Sequence, residues 1–208
     1  MDYIHLYTRQ HENSLYELEQ KGRITNKEIY IKLHMGDIAD FFLDKYSHFT
    51  SLAEKIVERP KDVAYPIWCS VSKENCLKPI EKELVYALRV PRDQVLYFDG
   101  TKWDFVLNNL YLPSDSEDEK RYLKELNKHG ISNSFELLLD KNKKLYQLFE
   151  DEITSSWQRI FDIEDWNPFS VQANLWEIKA QWVMHVLKPG DDIFELTDME
   201  DSFPPSLK

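Results

Sequence analysis

The apolar positions of the chain change period several times, and each change marks an element. Tyr3-Ile4-His5-Leu6-Tyr7 is short, aromatic and β-branched, which predicts a strand over 3–7. Asn13 or Ser14 can cap a helix that carries Leu15 and Leu18 on one face, and Gly22 suits its left-handed stop. From residue 37 to about 58, Ile38, Phe41, Phe42, Tyr46, Phe49, Leu52, Ile56 and Val57 recur at three- and four-residue steps, as a buried helical face requires. Pro60 ends that helix. Residues 65–72 read as a strand with Pro66 at its start or on an edge, because proline cannot donate to a ladder. Residues 84–90 and 94–98 read as two more, joined through Pro91-Arg92-Asp93.

Thr101 can cap a helix bearing Trp103, Val106, Leu107 and Leu110, with Asp104 placed to complement its dipole. Pro113 and the acids after it form an exposed connection. A helix-rich stretch over about 117–161 follows, with Leu137, Leu138, Leu145, Leu148, Phe149, Ile153, Trp157, Ile160 and Phe161 on its packed side. Residues 171–178 alternate as a strand until Trp176 breaks the pattern, and 182–187 supply the last strand, or a short helix followed by one. The fold class expected is α+β: a small, mostly antiparallel, twisted sheet with packed helices and a helix-rich insert before the last strands. The organisation expected is one domain over 1–190, with 117–161 as the insert, and a flexible acidic tail over 191–208 that has too few apolar residues to pack. Trp68, Trp103, Trp157 and Trp176 are expected to lie buried in one core.

Length and charge narrow the function classes. The 208 residues give room for one domain with a helical insert, and 42% apolar with 13% aromatic residues exclude wholesale disorder. A net charge of −11 argues against gripping duplex nucleic acid, which needs clustered Lys and Arg. The acids spread along the chain, with excesses at 114–119 and 191–201, so a regular anionic mimic of nucleic acid is disfavoured. Such a surface favours a basic protein partner. Only Cys69 and Cys76 are present, and no apolar or arginine-rich leader precedes the first strand, so the cytoplasm is the expected compartment. No apolar run approaches the roughly 20 residues of a membrane span.

Metal and phosphate motifs are missing from the pattern. The six histidines and two cysteines show no ligand spacing, and the five glycines are scattered, so neither a metal site nor a phosphate-cradling loop is expected. Cys69 sits in an apolar strand, where a thiol is ordinarily an inert core group.

Three strings carry a family resemblance: Leu6-Tyr7-Thr8 with Gln10; Val95-Leu96-Tyr97-Phe98-Asp99 with Trp103 and Val106-Leu107-Asn108; and Ser156-Trp157-Gln158-Arg159-Ile160-Phe161-Asp162 with Val171-Gln172-Ala173 and Leu175-Trp176-Glu177. They resemble the bacterial family catalogued as domain of unknown function 3841, and Pro66-Ile67-Trp68 fits the same pattern. That family implies a fold and no reaction. One departure is the helix before Pro66, where a Trp-Met pair is expected and Phe41, Phe42 and Ser47-His48 stand instead.

In outline the chain is also similar to ADP-ribosyltransferases, which use an Arg or His on the first strand, a Ser, Thr or Tyr on a second, and a late Glu. The resemblance implies a nicotinamide dinucleotide (NAD) as cofactor, with Arg9, Ser70 and Ser72 binding it. Glu177 would stabilise the ribose as it becomes oxocarbenium-like. Here Leu175 occupies the place two residues before the Glu where many such enzymes carry Glu or Gln. The plain alternative makes Arg9 a surface cation, Ser70 and Ser72 the solvent-facing half of a strand, and Glu177 a solvated strand residue. Two function classes are therefore carried forward, an ADP-ribosyltransferase-like enzyme and a noncatalytic acidic interaction module.

Overall fold

The computed structural model describes residues 2–199 and 202–204. Two compact units divide the chain, Met1–Tyr97 with Asp165–Lys208, and Phe98–Glu164. The fold is α+β, with small antiparallel sheets and packed helices.

In the first unit β1 (Tyr3–His11) pairs antiparallel with β4 (Glu83–Pro91), which pairs with β8 (Val183–Leu187). A second sheet has the order β3 (Ile67–Cys69), β6 (Val171–Leu175), β5 (Leu96–Asp99). One bridge joins the two sheets: Tyr7 N–H donates to Ser70 O at 3.0 Å and Ser70 N–H to Tyr7 O at 2.7 Å. The strands thus follow one another as β8-β4-β1-β3-β6-β5. A separate ribbon pairs β2 (Arg23–Thr25) with β7 (Glu177–Lys179).

Strand alternation sorts the residues onto faces. Ile4 and Leu6 join Leu84, Tyr86, Leu88 and Val90 of β4, and bury against Ile67, Cys69, Ala173 and Leu175. The opposite face of the same sheet buries Tyr7, Val85, Ala87 and Leu187 under Met199. Met199 and the Asp198 carboxylate, which meets the His185 ring at 2.8 Å, hold that part of the tail on this face, whereas Phe203 packs against the other cluster beside Tyr97 and Trp166. Residues 200, 201 and 205–208 of that tail lie outside the described residues.

α1 (Ser14–Lys21) ends where expected, at Gly22, whose φ of 68° would strain any other residue. The chain turns there straight into β2. α2 (Glu28–Met35) was not anticipated, because only its Ile31 is buried and its apolar residues make no stripe. Lys27 and Tyr30 at its start both bond the Glu17 carboxylate of α1, and this hydrogen bonding holds that carboxyl below its ordinary value against the opposing effect of burial. α3 (Ala39–Ala53) is shorter than the 37–58 pattern, and Ile56 beyond it is exposed. The expected strand over 65–72 shrinks to β3 and the single Ser70 bridge, because the chain bends away from Val71 onward. The expected strand over 171–178 splits at Trp176 into β6 and β7.

The second unit is helical: α4 (Gly100–Leu107), α5 (Ser116–Lys128), α6 (Ser134–Leu137) and α7 (Lys143–Ser156). Asp99, not Thr101, caps α4, because its carboxylate accepts from the Thr101 and Lys102 amides at 2.8 and 3.2 Å. Leu148, expected on the packed side, is exposed. Trp103 and Trp157 are buried here, Trp176 is buried in the first unit, and Trp68 of that unit is only half-buried, short of the burial expected for all four indoles.

Asp118 ties this unit together. Its carboxylate accepts from the Ser114 backbone N–H (3.0 Å) and the Tyr111 hydroxyl (2.7 Å) and pairs with Arg121 and Arg159 at 3.0 Å each. The Ser114 N–H, then the hydroxyl and guanidinium partners, hold its carboxyl well below the usual range. A lowered folded pKa adds stability that is present above the unfolded value of about 4 and is lost as pH falls through the folded value. Asp118→Asn is expected to lower the urea midpoint at pH 7 and to shrink the further drop seen at pH 3. An acid drop as large as that of the parent protein would refute the assignment.

Candidate active site around Glu177

The break in alternation at Trp176 is the point where the chain changes partners. Through Leu175 it pairs with β3, in register Ile67↔Leu175. Trp176 then turns out of the ladder, and its indole N–H donates to Val57 O at 2.9 Å. The next residues pair with β2, in register Thr25↔Glu177 and Arg23↔Lys179. Because Ile24 and Ile178 point into the core, Arg23, Thr25, Glu177 and Lys179 share the other face of the ribbon.

Glu177 is 9% exposed. Arg23 donates to its Oε2 at 2.8 Å, and Lys179 Nζ lies 3.3 Å from its Oε1. The other arm of the Arg23 guanidinium bonds the exposed Asp62 carboxylate. The hydrogen bonds that Arg23 donates, to Glu177 first and then to Asp62, raise its pKa. Glu177 and Lys179 line a cleft of about 560 Å³ together with Val57, Arg59, Lys61 and Gln94. That size suits a small-molecule site, for which roughly 300–1,000 Å³ is usual.

The other candidate residues lie elsewhere. Arg9 is in register with Val85, so it projects on the Met199 side of the β1-β4-β8 sheet. Its Nε meets Glu83 at 2.7 Å and its guanidinium donates to Lys78 O at 3.2 Å. Ser70 Oγ donates to Asn75 O at 3.0 Å, and Ser72 Oγ accepts from Asn75 N–H at 3.3 Å, so both hydroxyls close the turn after β3. The structure brings Ser70 and Ser72 together in that turn, and it does not bring Arg9 to Glu177. Thr8 and Gln10 are the β1 polar residues on the Arg9-free face: Thr8 donates to Trp68 O at 2.7 Å and accepts from Gln10 at 2.9 Å.

The chain belongs to the family described as Domain of unknown function (DUF3841). The family match spans residues 5–184, and so covers Arg9, Arg23, Ser70, Ser72 and Glu177 alike. Neither a curated protein nor a solved structure gives a match.

Arg23, Asp62 and Lys179 are site residues that sequence reasoning missed. The available signal was the string Gly22-Arg23-Ile24-Thr25, in which a left-handed stop is followed by strand alternation. Burial pushes the Cys69 thiol up, and pushes Cys76 up to about 12 against the opposing effect of Arg9, so neither is a thiolate near neutral pH. Among the described residues no group of three or more His, Cys, Asp or Glu could hold a metal ion. No described helix is long and apolar enough to cross a membrane.

Proposed function

We propose that the chain is an ADP-ribosyltransferase-like enzyme that takes a nicotinamide dinucleotide as substrate and uses Glu177 as its ribose-stabilising carboxylate. The observation that carries this reading is the nearly buried Glu177 carboxylate, which lines a cleft with three cations, Arg59, Lys61 and Lys179, and two further acids, Glu58 and Asp93. A shielded acid suits a ribose that becomes cationic, and the three cations suit a pyrophosphate. Adjacency of strands supports it too, since β1, β3 and β6 lie side by side and β6 leads directly into Glu177.

In the reaction the bond between ribose C1′ and the nicotinamide nitrogen breaks, and its electron pair neutralises the pyridinium as nicotinamide leaves. Positive charge builds on the ribose, where the nearly buried Glu177 carboxylate stabilises it electrostatically. Water or another acceptor then adds to C1′ and gives up a proton. Arg9, held by Glu83 on the other sheet face, and the two turn serines are peripheral to this chemistry.

The test is binding and turnover with NAD itself. NAD is expected to raise the melting temperature by mass action, about 2.7 kcal/mol at a hundred times Kd, and chromatography is expected to detect free nicotinamide. No thermal shift at millimolar NAD together with no nicotinamide above background would defeat the reading. A noncatalytic module for a basic partner is the second reading, supported by the chain's −11 charge and by Ile29 and Leu33 exposed one turn apart on α2. Salt-sensitive retention on a lysine-rich protein, without NAD binding, would favour it.

A further inference from the structure

We infer that Arg23 is a positioning residue: its guanidinium clamps Glu177 to the loop over 56–63, and so fixes the ribose-stabilising carboxylate relative to Arg59 and Lys61. The inference rests on the reading of Glu177 given above and deepens it.

Most of the cleft lining comes from two pieces of chain, the loop through residues 56–61 and β7 through Glu177 and Lys179. A carboxylate and cations carried on separate pieces act on one ligand only when the distance between them is held. The Trp176 indole supplies one tie, to Val57 O. Arg23 supplies a second, since one of its terminal nitrogens donates to Glu177 Oε2 at 2.8 Å and the other bonds Asp62 on the loop.

Asp62 passes that tie on to the cations. Lys61 precedes it in the chain, and Arg59 Nη1 donates to Val63 O at 2.7 Å, which closes 59–63 around it. Val63 is buried and its N–H donates to Pro60 O at 3.0 Å, so this part of the loop moves as one piece. A pair with Asp62 alone would contribute little, because that side chain is 63% exposed. Its weight comes from sharing the guanidinium with Glu177, whose side chain is 11% exposed. The planar fork of Arg presents its donors at a fixed angle to the two carboxylates, whereas a Lys ammonium is a point charge on a flexible stem. The cleft lining includes neither Arg23 nor Asp62, so the clamp acts through Glu177 and the loop and not on the ligand.

Nicotinamide release from NAD, read together with amide hydrogen exchange, tests the clamp on the full chain. Arg23→Ala releases both ends and is expected to lower kcat about tenfold or more and to raise KM about three- to tenfold. Asp62→Ala releases only the loop, and is expected to raise KM by a similar factor with kcat within about threefold of the parent protein. Loss of folded molecules would not give that split, because it lowers kcat alone. Arg23→Lys keeps the charge without the fork and is expected to recover less than half of the lost kcat. In both alanine variants the Val57 and Val63 amides, bonded to Ala53 O and Pro60 O, are expected to exchange about tenfold faster while the β4 amides keep their rates. Parental kcat and KM in Arg23→Ala, an Arg23→Lys variant equal to the parent, or an Asp62→Ala variant that changes neither KM nor loop exchange would overturn the clamp. If Arg23→Ala does not fold, Asp62→Ala decides. A parent protein that releases no nicotinamide fails the reading of Glu177 itself, and exchange, which needs no NAD, still decides whether Arg23 ties the loop to the ribbon.

Discussion

Replacing Glu177 with Gln is expected to cut nicotinamide release from NAD by about 100- to 1,000-fold while binding of the dinucleotide persists, the size found when one transition-state stabiliser is removed. Gln keeps the shape and one acceptor oxygen, so the β2–β7 ribbon can still form with one of the two contacts, to Arg23 or to Lys179, while the amide NH2 cannot accept from the other. What disappears is the negative charge. On the ground-state ligand that charge adds little, because the ribose is neutral until the glycosidic bond stretches. In the transition state it faces a developing cation inside a cleft where Glu177 is largely withdrawn from water, which is where a fixed charge acts most strongly. The loss should therefore fall on kcat and not on KM. The exchange also weakens charge-assisted hydrogen bonds, at a cost to folding of about 1–3 kcal/mol, which a urea titration would register separately. Initial rates within threefold of the parent protein would remove Glu177 from the chemistry.

The sequence made the elements more legible than their partners. Runs such as Leu84 to Val90 and the stop at Gly22 announced themselves because a local rule, period or left-handed tolerance, sufficed. α2 did not, since its stability comes from Glu17 gripping Lys27 and Tyr30, a contact between elements that no periodicity records. Burial of the indoles could be read from apolar surroundings for Trp103, Trp157 and Trp176, but not for Trp68, which packs against Tyr46 and Phe49 and stays half-buried.

The site shows the same division. Glu177 stood out because it follows a rare Trp in a late strand, whereas Arg23 is 154 residues distant and meets it only through the β2–β7 register. Arg9 is the instructive case. Its neighbours Leu6, Thr8 and Gln10 face one way, and an odd position on the same strand must face the other, so strand parity decides what a first-strand cation can reach. Parity was available in the sequence, but which parity joins the Ile67–Leu175 core and which lies under Met199 was not.

Trp176 carries the largest expected effect on stability. It is 4% exposed, it ends the β3–β6 ladder, and its indole N–H holds Val57 O beside the cleft. Trp176→Ala removes a large buried ring and leaves a cavity, for which about 3–5 kcal/mol is the usual cost. It also strands the Val57 carbonyl. Trp176→Phe separates the two contributions: most of the apolar volume stays, only the donor is lost, and an unsatisfied carbonyl costs about 1–3 kcal/mol. Urea midpoints are expected to fall in the order parent, Phe, Ala. Because Glu177 is the adjacent residue, the same ranking is expected in nicotinamide release per folded molecule, as the strand that aims the carboxylate loses its pivot. An Ala variant within 1 kcal/mol of the parent protein would mean that the switch from β3 to β2 is made by the backbone register alone, and that Trp176 only covers it.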